Sequence, residues 1–238
     1  MPTLTRHFFL SFFFLIFCGS VYAQLEEEEF YYGFNVGINS SSIQEIQTTI
    51  IRPVFPTETY STSSNNLLGF TAGAFVYYKF KKSKFAIQPE INYVKQGGVF
   101  HYEDIEDLTY DIQFNYSYIN IAPIVKFYTV HGLYASAGAQ LGIILDRSDL
   151  TYTSNMPEVG PDLQIQQSLR EVLKGNNQAA IILGVGYDTP FGLNLNVRWI
   201  YSISDAVETL ANGYYFIENK NPSQSIQFTV GYHIPFFK

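Results

Sequence analysis

From Ile226 to Phe236 the chain alternates without a break. Ile226, Phe228, Val230, Tyr232, Ile234 and Phe236 are apolar, and Gln227, Thr229, Gly231, His233 and Pro235 stand between them. Side chains of a strand point alternately to its two faces, so this segment has one greasy face and one polar or small face. The same split recurs in seven earlier segments, and the pattern predicts eight strands: Tyr31–Asn39, Leu67–Phe80, Phe85–Val99, Asn115–Tyr128, Leu133–Leu145, Gln178–Asp188, Phe191–Ile203 and Ser225–Phe236. Each is long enough to cross a bilayer at a tilt, which takes about 9–11 residues. Pro89 and Pro123 fall inside two of them. A proline removes one ladder hydrogen bond, so a bulge or an irregular rung is expected at each.

The connections sort strictly by length. Lys81–Lys84, Thr129–Gly132 and Thr189-Pro190 are short, while Ser40–Asn66, Phe100–Phe114, Asp146–Asn177 and Ser204–Gln224 are long. Together these patterns predict an all-β protein, an eight-stranded antiparallel up-and-down transmembrane β-barrel with short periplasmic turns and long extracellular loops. Both ends of the barrel domain then lie on the short-turn side. A soluble lipocalin-like binder would turn the same apolar faces inward around a ligand. It offers no reason for the loops to sort by length.

Parity assigns the faces. In the third segment Phe85, Ile87, Pro89, Ile91 and Tyr93 point outward, and Gln88, Glu90 and Asn92 point inward. In the seventh Phe191, Leu193, Leu195, Val197, Trp199 and Tyr201 point outward, against Asn194, Asn196 and Arg198. No charged residue lands on the outward face of the central strands. Outward aromatics gather near strand ends at Tyr78, Phe80, Phe85, Tyr187, Phe191, Trp199, Tyr201, Tyr232 and Phe236, where an interfacial belt would place them. Glu90, Lys126 and Arg198 point into the lumen, with Lys79 and His233 nearby. A narrow eight-stranded barrel is filled by its own side chains, and opposite charges inside it are expected to pair. The competing reading of these five residues is a selectivity or gating cluster in a thin pore.

The front of the chain changes the picture of the compartment. Arg6 and His7 precede an apolar run from Phe8 to Phe17, and Val21-Tyr22-Ala23 places small residues at the −3 and −1 positions. This reads as a secretory signal, residues 1–23, cleaved before Gln24. A lipoprotein signal at Cys18 is the alternative, but Phe17 stands where lipidation wants a small residue. Residues 24–30 form an acidic lead-in and residues 31–238 the barrel. Cleavage removes the single cysteine, so no disulfide, thiol chemistry or cysteine metal ligand is expected. It also leaves 13 basic against 21 acidic side chains, net −8, which argues against nucleic acid as a partner. No segment after the signal has the ~20 apolar residues of a membrane helix, yet aromatics make up 17% of the chain. That combination fits alternating strands with aromatic girdles.

Four stretches carry a family resemblance. Gln88-Pro89-Glu90-Ile91-Asn92-Tyr93-Val94-Lys95-Gln96-Gly97-Gly98 resembles the QPE-containing strand of small Bacteroidota outer-membrane barrels, the PorT-like family. Tyr118–Lys126, Tyr134–Gly142 and Gly184–Asp188 are similar to further strands of that family, in order and at plausible spacing. The resemblance implies an outer-membrane barrel, and the family's namesake works in type IX secretion and gliding. No motif here separates that role from that of generic members.

Candidate chemistry is sparse. His101, His131 and His233 are the histidines outside the signal, and none sits on an outward face beside a serine as a rim-located lipid hydrolase would need. There is no phosphate-cradling glycine loop, no G-x-S-x-G and no metal-ligand histidine pair. The expectation is no catalysis, no cofactor and no metal. Glu103, Asp104, Glu106, Asp107 and Asp111 read as a solvated acidic loop, with a divalent-cation site as the alternative. Gly160-Pro161 and Gly175 bracket a predicted short helix, Leu163–Lys174, with Ile165, Leu169, Val172 and Leu173 on one face. It would either cap the barrel mouth or offer a docking surface. Expected partners are outer-membrane lipid and lipopolysaccharide, the barrel assembly machinery, and secretion or surface proteins. Two roles stay open: a surface interaction or secretion-assembly platform, and a passive small-solute channel.

Overall fold

The computed structural model describes residues 29–46, 60–104, 107–130, 132–155, 162–209 and 220–235. The signal segment, most of the lead-in, Glu106, His131, Gly160-Pro161 and Phe236 lie outside the described residues. In chain order the elements are β1 (Glu29–Ile43), β2 (Tyr60–Asn65), β3 (Leu67–Lys79), β4 (Phe85–Asp104), β5 (Thr109–Tyr128), β6 (Leu133–Ile144), β7 (Leu150–Ser154), α1 (Asp162–Val172), β8 (Leu173–Gly175), β9 (Gln178–Asp188), β10 (Leu193–Asp205), β11 (Val207–Thr209) and β12 (Pro222–Pro235).

Eight of these strands close on themselves. The order runs β1, β3, β4, β5, β6, β9, β10, β12 and back to β1, every pair antiparallel. The predicted alternation is present in the accessible surface. Phe34, Val36 and Ile38 on β1 are exposed outward, whereas Asn35 between the first two and Asn39 after the last are buried inside. The same holds for Ile87 and Ile91 against Gln88, Glu90 and Asn92 on β4, and for Val197 and Trp199 against Asn196 and Arg198 on β10. A strand buried by a conventional core would show the opposite arrangement.

The two prolines give irregular rungs, not bulges. Pro89 and Pro123 are direct cross-strand partners, and the β4–β5 ladder runs in one register from Phe85↔Phe127 to Glu103↔Thr109. No residue is inserted, so neither proline makes a bulge. Their missing N–H groups belong to the far sides instead. Pairing lapses between Phe75↔Glu90 and Tyr78↔Ile87 on β3–β4, and between Ile121↔Leu141 and Ile124↔Gly138 on β5–β6. Antiparallel residues donate alternately to the two neighbours, so facing prolines leave their shared ladder intact. The register shift in β10–β12 lies between Tyr201 and Asp205, where the chain leaves the ring toward β11.

One correction concerns the length of β4 and β5. Each has 20 residues, where the sequence pattern predicts strands ending at Val99 and starting at Asn115. The reason is a reversal of polarity partway up the hairpin. Below it, the outward faces are Phe85 to Tyr93 on β4 and Ile119 to Phe127 on β5, nine residues each. That is the lower end of the span needed to cross a bilayer. Above it the outward residues become Lys95, His101 and Glu103, opposite Ser117, Asp111 and Thr109. The inward residues become Phe100, Ile112, Phe114 and Tyr116, all at 1% exposure or less. Outside the apolar band the solvent is water, so the hydrophobic face must turn to the interior. Glu103, Asp104 and Asp111 of the acidic run predicted as a loop are therefore strand residues.

The projecting half of the hairpin gains a strand on each side. β2 pairs with Val99–Asp104 of β4, and β7 pairs with Tyr110–Phe114 of β5. β8 and β11 form a separate short ladder. These pieces enclose a hydrophobic cluster of Ile43, Ile46, Phe100, Ile112, Phe114, Tyr116, Tyr118, Leu150, Leu173, Ala206 and Val207. Burying each large apolar side chain contributes about 1.5–3 kcal/mol. The cluster sits across the long-connection end of the ring.

The polarity boundary makes a direct prediction. Ile91→Lys, in the middle of the outward band, should cost about 2–4 kcal/mol in equilibrium unfolding from phospholipid vesicles. Glu103→Lys, above the boundary, should change stability by less than about 0.5 kcal/mol. Equal costs at the two positions would contradict the assignment of the band.

Candidate functional site

The lumen is crossed by side-chain braces. Glu90 on β4 and Arg198 on β10 stand on opposite walls, four strands apart around the eight-stranded ring. Arg198 donates from Nη1 to Glu90 Oε2 and from Nη2 to Oε1, each at 2.6 Å. Gln88 Nε2 donates to the same Oε1 at 2.6 Å and Asn92 Nδ2 to Oε2 at 3.0 Å. Each carboxylate oxygen thus accepts two hydrogen bonds, which fills its acceptor capacity. Both side chains are buried, at 3% exposure or less. Such a pair holds only because the geometry is bidentate and the carboxylate is fully satisfied.

A second cluster lies nearer the short-turn end and is centred on Asp188, the last residue of β9. Lys126 Nζ donates to Asp188 Oδ2 at 3.3 Å. Tyr128 and Asn194 also donate to this carboxylate through short hydrogen bonds. His233 Nε2 stands 3.8 Å from Asp188 Oδ1. Its ring stacks on Tyr31 and Tyr77 at 5.8 and 5.3 Å between centroids. The Lys126 ammonium sits 4.1 Å above the Tyr134 ring, and Tyr134 OH accepts from both Asn194 and Asn196. A buried cation over an aromatic face is a favourable contact in its own right.

Nearer the long-connection end, Gln96 Nε2 donates to Gln178 Oε1 at 3.0 Å, and Gln178 Nε2 donates to Tyr118 OH at 3.2 Å. Ser223 Oγ also donates to Gln178 Oε1 at 2.9 Å. Three tiers of contacts therefore cross the interior beneath the hydrophobic cluster at the mouth. One stretch of wall is apolar, formed by Ala122, Ile124, Ala180, Ile182 and Ile200.

The five residues predicted for the lumen divide among these places. Glu90 and Arg198 pair with each other, while Lys126 and His233 gather on Asp188. Lys79 stands at the rim, 4.0 Å from Glu29 and 5.6 Å above the Tyr128 ring. Parity places Asp188 inward with Gly184 and Gly186 on the same strand. Tyr134, Gln88, Asn92, Asn194 and Asn196 are readable by the same rule. Of the predicted belt, Tyr78, Phe80, Phe85, Tyr187, Phe191 and Tyr232 lie toward the short turns. Trp199 and Tyr201 stack at 5.6 Å higher on β10.

The fold and the apolar outer face are those of a membrane barrel, and comparison with known families agrees. The family described as outer membrane protein beta-barrel domain matches residues 22–208. The chain belongs to this family. As an outer-membrane barrel domain it resides in the outer membrane, and the ring-closing strand β12 follows the matched region. None of the curated proteins matches it. Among solved structures it is similar to Neisserial surface protein A, with 12% identity over 87% of this chain and 99% of the other and a TM-score of 0.40. It is also similar to Ail, the attachment invasion locus protein of Yersinia pestis, in complex with the heparin analogue sucrose octasulfate (14% identity, 87% and 99% coverage, TM-score 0.40). OprG from Pseudomonas aeruginosa matches with 13% identity, 88% and 96% coverage and a TM-score of 0.35.

Outside the membrane band, the elements around the mouth are tied to one another. Arg170 of α1 donates from Nε and Nη2 to the Leu150 carbonyl at 2.9 and 2.8 Å. Gln166 Oε1 accepts from the Tyr152 N–H, and the Asp162 carboxylate accepts from the N–H and hydroxyl of Ser154. Leu169 and Val172 pack on the mouth cluster. Arg147 donates to Glu208 at 2.6 Å and to the Gly175 carbonyl at 2.8 Å, joining the β8–β11 ladder to the connection after β6. Tyr102 and Tyr110 stack at 4.6 Å, with Tyr152 beyond at 5.5 Å. Burial raises the Tyr152 hydroxyl above its ordinary pKa, so it stays uncharged.

The brace across the lumen is open to mutation. Arg198→Ala leaves the Glu90 carboxylate buried without its counter-ion and should destabilise the barrel by about 3–5 kcal/mol. The double replacement Glu90→Leu with Arg198→Met should recover most of that loss, measured by the temperature at which the folded, heat-modifiable band disappears on gels. A double variant as unstable as the single one would show that the pair is not the source of the effect.

Proposed function

We propose that this protein is a non-enzymatic anchor and platform. The barrel fixes it in the outer membrane, with the short turns on the periplasmic side. The projecting sheet β2–β4–β5–β7, with α1 and the β8–β11 ladder, presents a folded surface to protein partners beyond the cell. The observation that supports this reading is the hydrophobic cluster at the mouth. It rests on residues from β1, β4, β5, β7, β8 and β11, so these described elements share one core at the mouth. A mere set of tethers between strands has no need of a shared core.

The specific form we propose is support of an envelope or secretion assembly, of the type IX kind suggested by the resemblance to the PorT-like family. In this reading residues 1–23 are a cleaved export signal and the barrel assembly machinery inserts the mature chain. Lipopolysaccharide and phospholipid form its surroundings.

A passive channel is the alternative, and one observation favours it. Asn92 Oδ1, Asn120 Oδ1 and Asn196 Oδ1 are buried inward and make no hydrogen bond with the described residues. A polar lining of that kind suits a hydrated path. The Glu90–Arg198 brace opposes free passage, because it spans the ring between Asn196 on one side and Asn92 and Asn120 on the other.

Two measurements separate the readings. In planar bilayers the purified protein should show no steady conductance, whereas channels that change on neutralising Lys126 or Arg198 would establish the pore. Deleting Asp162–Lys174 should leave insertion intact and abolish the partner-dependent phenotype in cells. A deletion strain that inserts the barrel and behaves as wild type would remove α1 and β8 from the platform.

A further inference from the structure

The short-turn end carries a charge asymmetry that the platform role does not use. Of the three short turns, Thr129–Gly132 and Thr189–Gly192 contain no Lys, Arg, Asp or Glu. The β3–β4 turn is Lys81-Lys82-Ser83-Lys84. Lys81 and Lys82 are exposed, and Lys84 is partly so. None of the three forms an ion pair among the described residues. Beyond the apolar band at the other end, the described charges are mainly acidic, as at Glu103, Asp104, Asp107, Asp111, Asp146 and Asp149.

The turn is built, not loose. Phe80 N–H donates to the Phe85 carbonyl at 3.2 Å and Ser83 N–H to the Phe80 carbonyl at 3.1 Å. Phe85 N–H donates to Ser83 Oγ at 3.0 Å. Lys82 has a φ of 54°, in the left-handed region. The other two short turns meet the same need with glycine, Gly132 at 84° and Gly192 at 90°. Glycine adopts this conformation freely and a lysine does so at a conformational cost. A lysine at this position is thus opposed by the backbone, and its charge is the property that glycine would lack. Phe80 and Phe85, 42% and 49% exposed, flank the turn as outward aromatics at the depth of lipid headgroups.

We infer that the β3–β4 turn is a docking site for anionic phospholipid headgroups in the leaflet at the short-turn end. Phe80 and Phe85 set the depth, and the rigid turn holds three ammonium groups where lipid phosphates lie. Each lysine near an anionic surface adds attraction that salt screens. The inference rests on the outer-membrane location and is independent of the platform reading.

The test is native mass spectrometry of the full-length protein released from detergent, titrated with phosphatidylglycerol or phosphatidylcholine. Wild type should retain phosphatidylglycerol preferentially, and less of it as ionic strength rises. The triple variant K81Q/K82Q/K84Q should lose that preference by roughly tenfold or more, and the triple arginine variant should keep it. Undiminished retention by a folded glutamine variant would overturn the inference. So would displacement of phosphatidylglycerol by millimolar inorganic phosphate, which would mark a site for soluble phosphate. If the triple variant fails to fold, Lys82→Gly decides. It relieves the backbone, should fold at least as well as wild type, and should still bind phosphatidylglycerol more weakly. Unchanged binding in that variant would also overturn the inference.

Discussion

Inside hydrocarbon a backbone N–H or C=O has no water to turn to, so a strand can enter the membrane only with a partner on each side. That requirement dictates closure. β1 meets both β3 and β12, and β4 meets both β3 and β5, so the ring has no edge to leave exposed. The two prolines show how tightly the rule is kept. They face each other across β4–β5, and their missing donors fall on the flanking ladders, where register is preserved on either side of the gap.

Once the ring is closed, each face must match what it meets. Outward positions meet lipid and are apolar. Inward positions meet one another across a narrow lumen, and the polar groups there have to be satisfied by side chains. The Glu90–Arg198 bridge does this across the full width of the ring, with Gln88 and Asn92 completing the carboxylate. Asp188 does it near the short turns by collecting Lys126, Tyr128 and Asn194. Where the hairpin leaves the lipid the matching reverses. The outward face of β4 becomes polar at Lys95 and its inward face becomes apolar at Phe100. The same chain alternation thus serves two solvents, and the switch between them marks where the membrane ends.

This reversal also gives the exterior its structure. Because the upper half of β4–β5 has an apolar face turned inward, the long connections have something to pack against. β2 and β7 extend the sheet, α1 lies against β7, and the β8–β11 ladder closes over Leu173 and Val207. A surface held together in this way can keep a fixed shape for a partner, and the barrel below supplies anchorage.

Period-two alternation by itself determined the ring strands, their inward and outward faces, and the lumen positions of Glu90, Lys126, Arg198 and His233. Parity is local, and the lipid outside imposes it on every strand in the same sense. It could not say which charges would meet. Glu90 and Arg198 are 108 residues apart, and their pairing follows from standing on opposite walls of a ring of eight. Lys126 turns to Asp188 for a more local reason, since β5 and β9 both flank β6 and their inward side chains meet over it. Nor did the pattern reveal that β4 and β5 continue past Val99 and Asn115. There the apolar positions change faces, and the test for an outward greasy stripe fails although the strand goes on. Which side of a strand should be apolar depends on the medium around it, and that is settled by where the folded hairpin stands relative to the membrane.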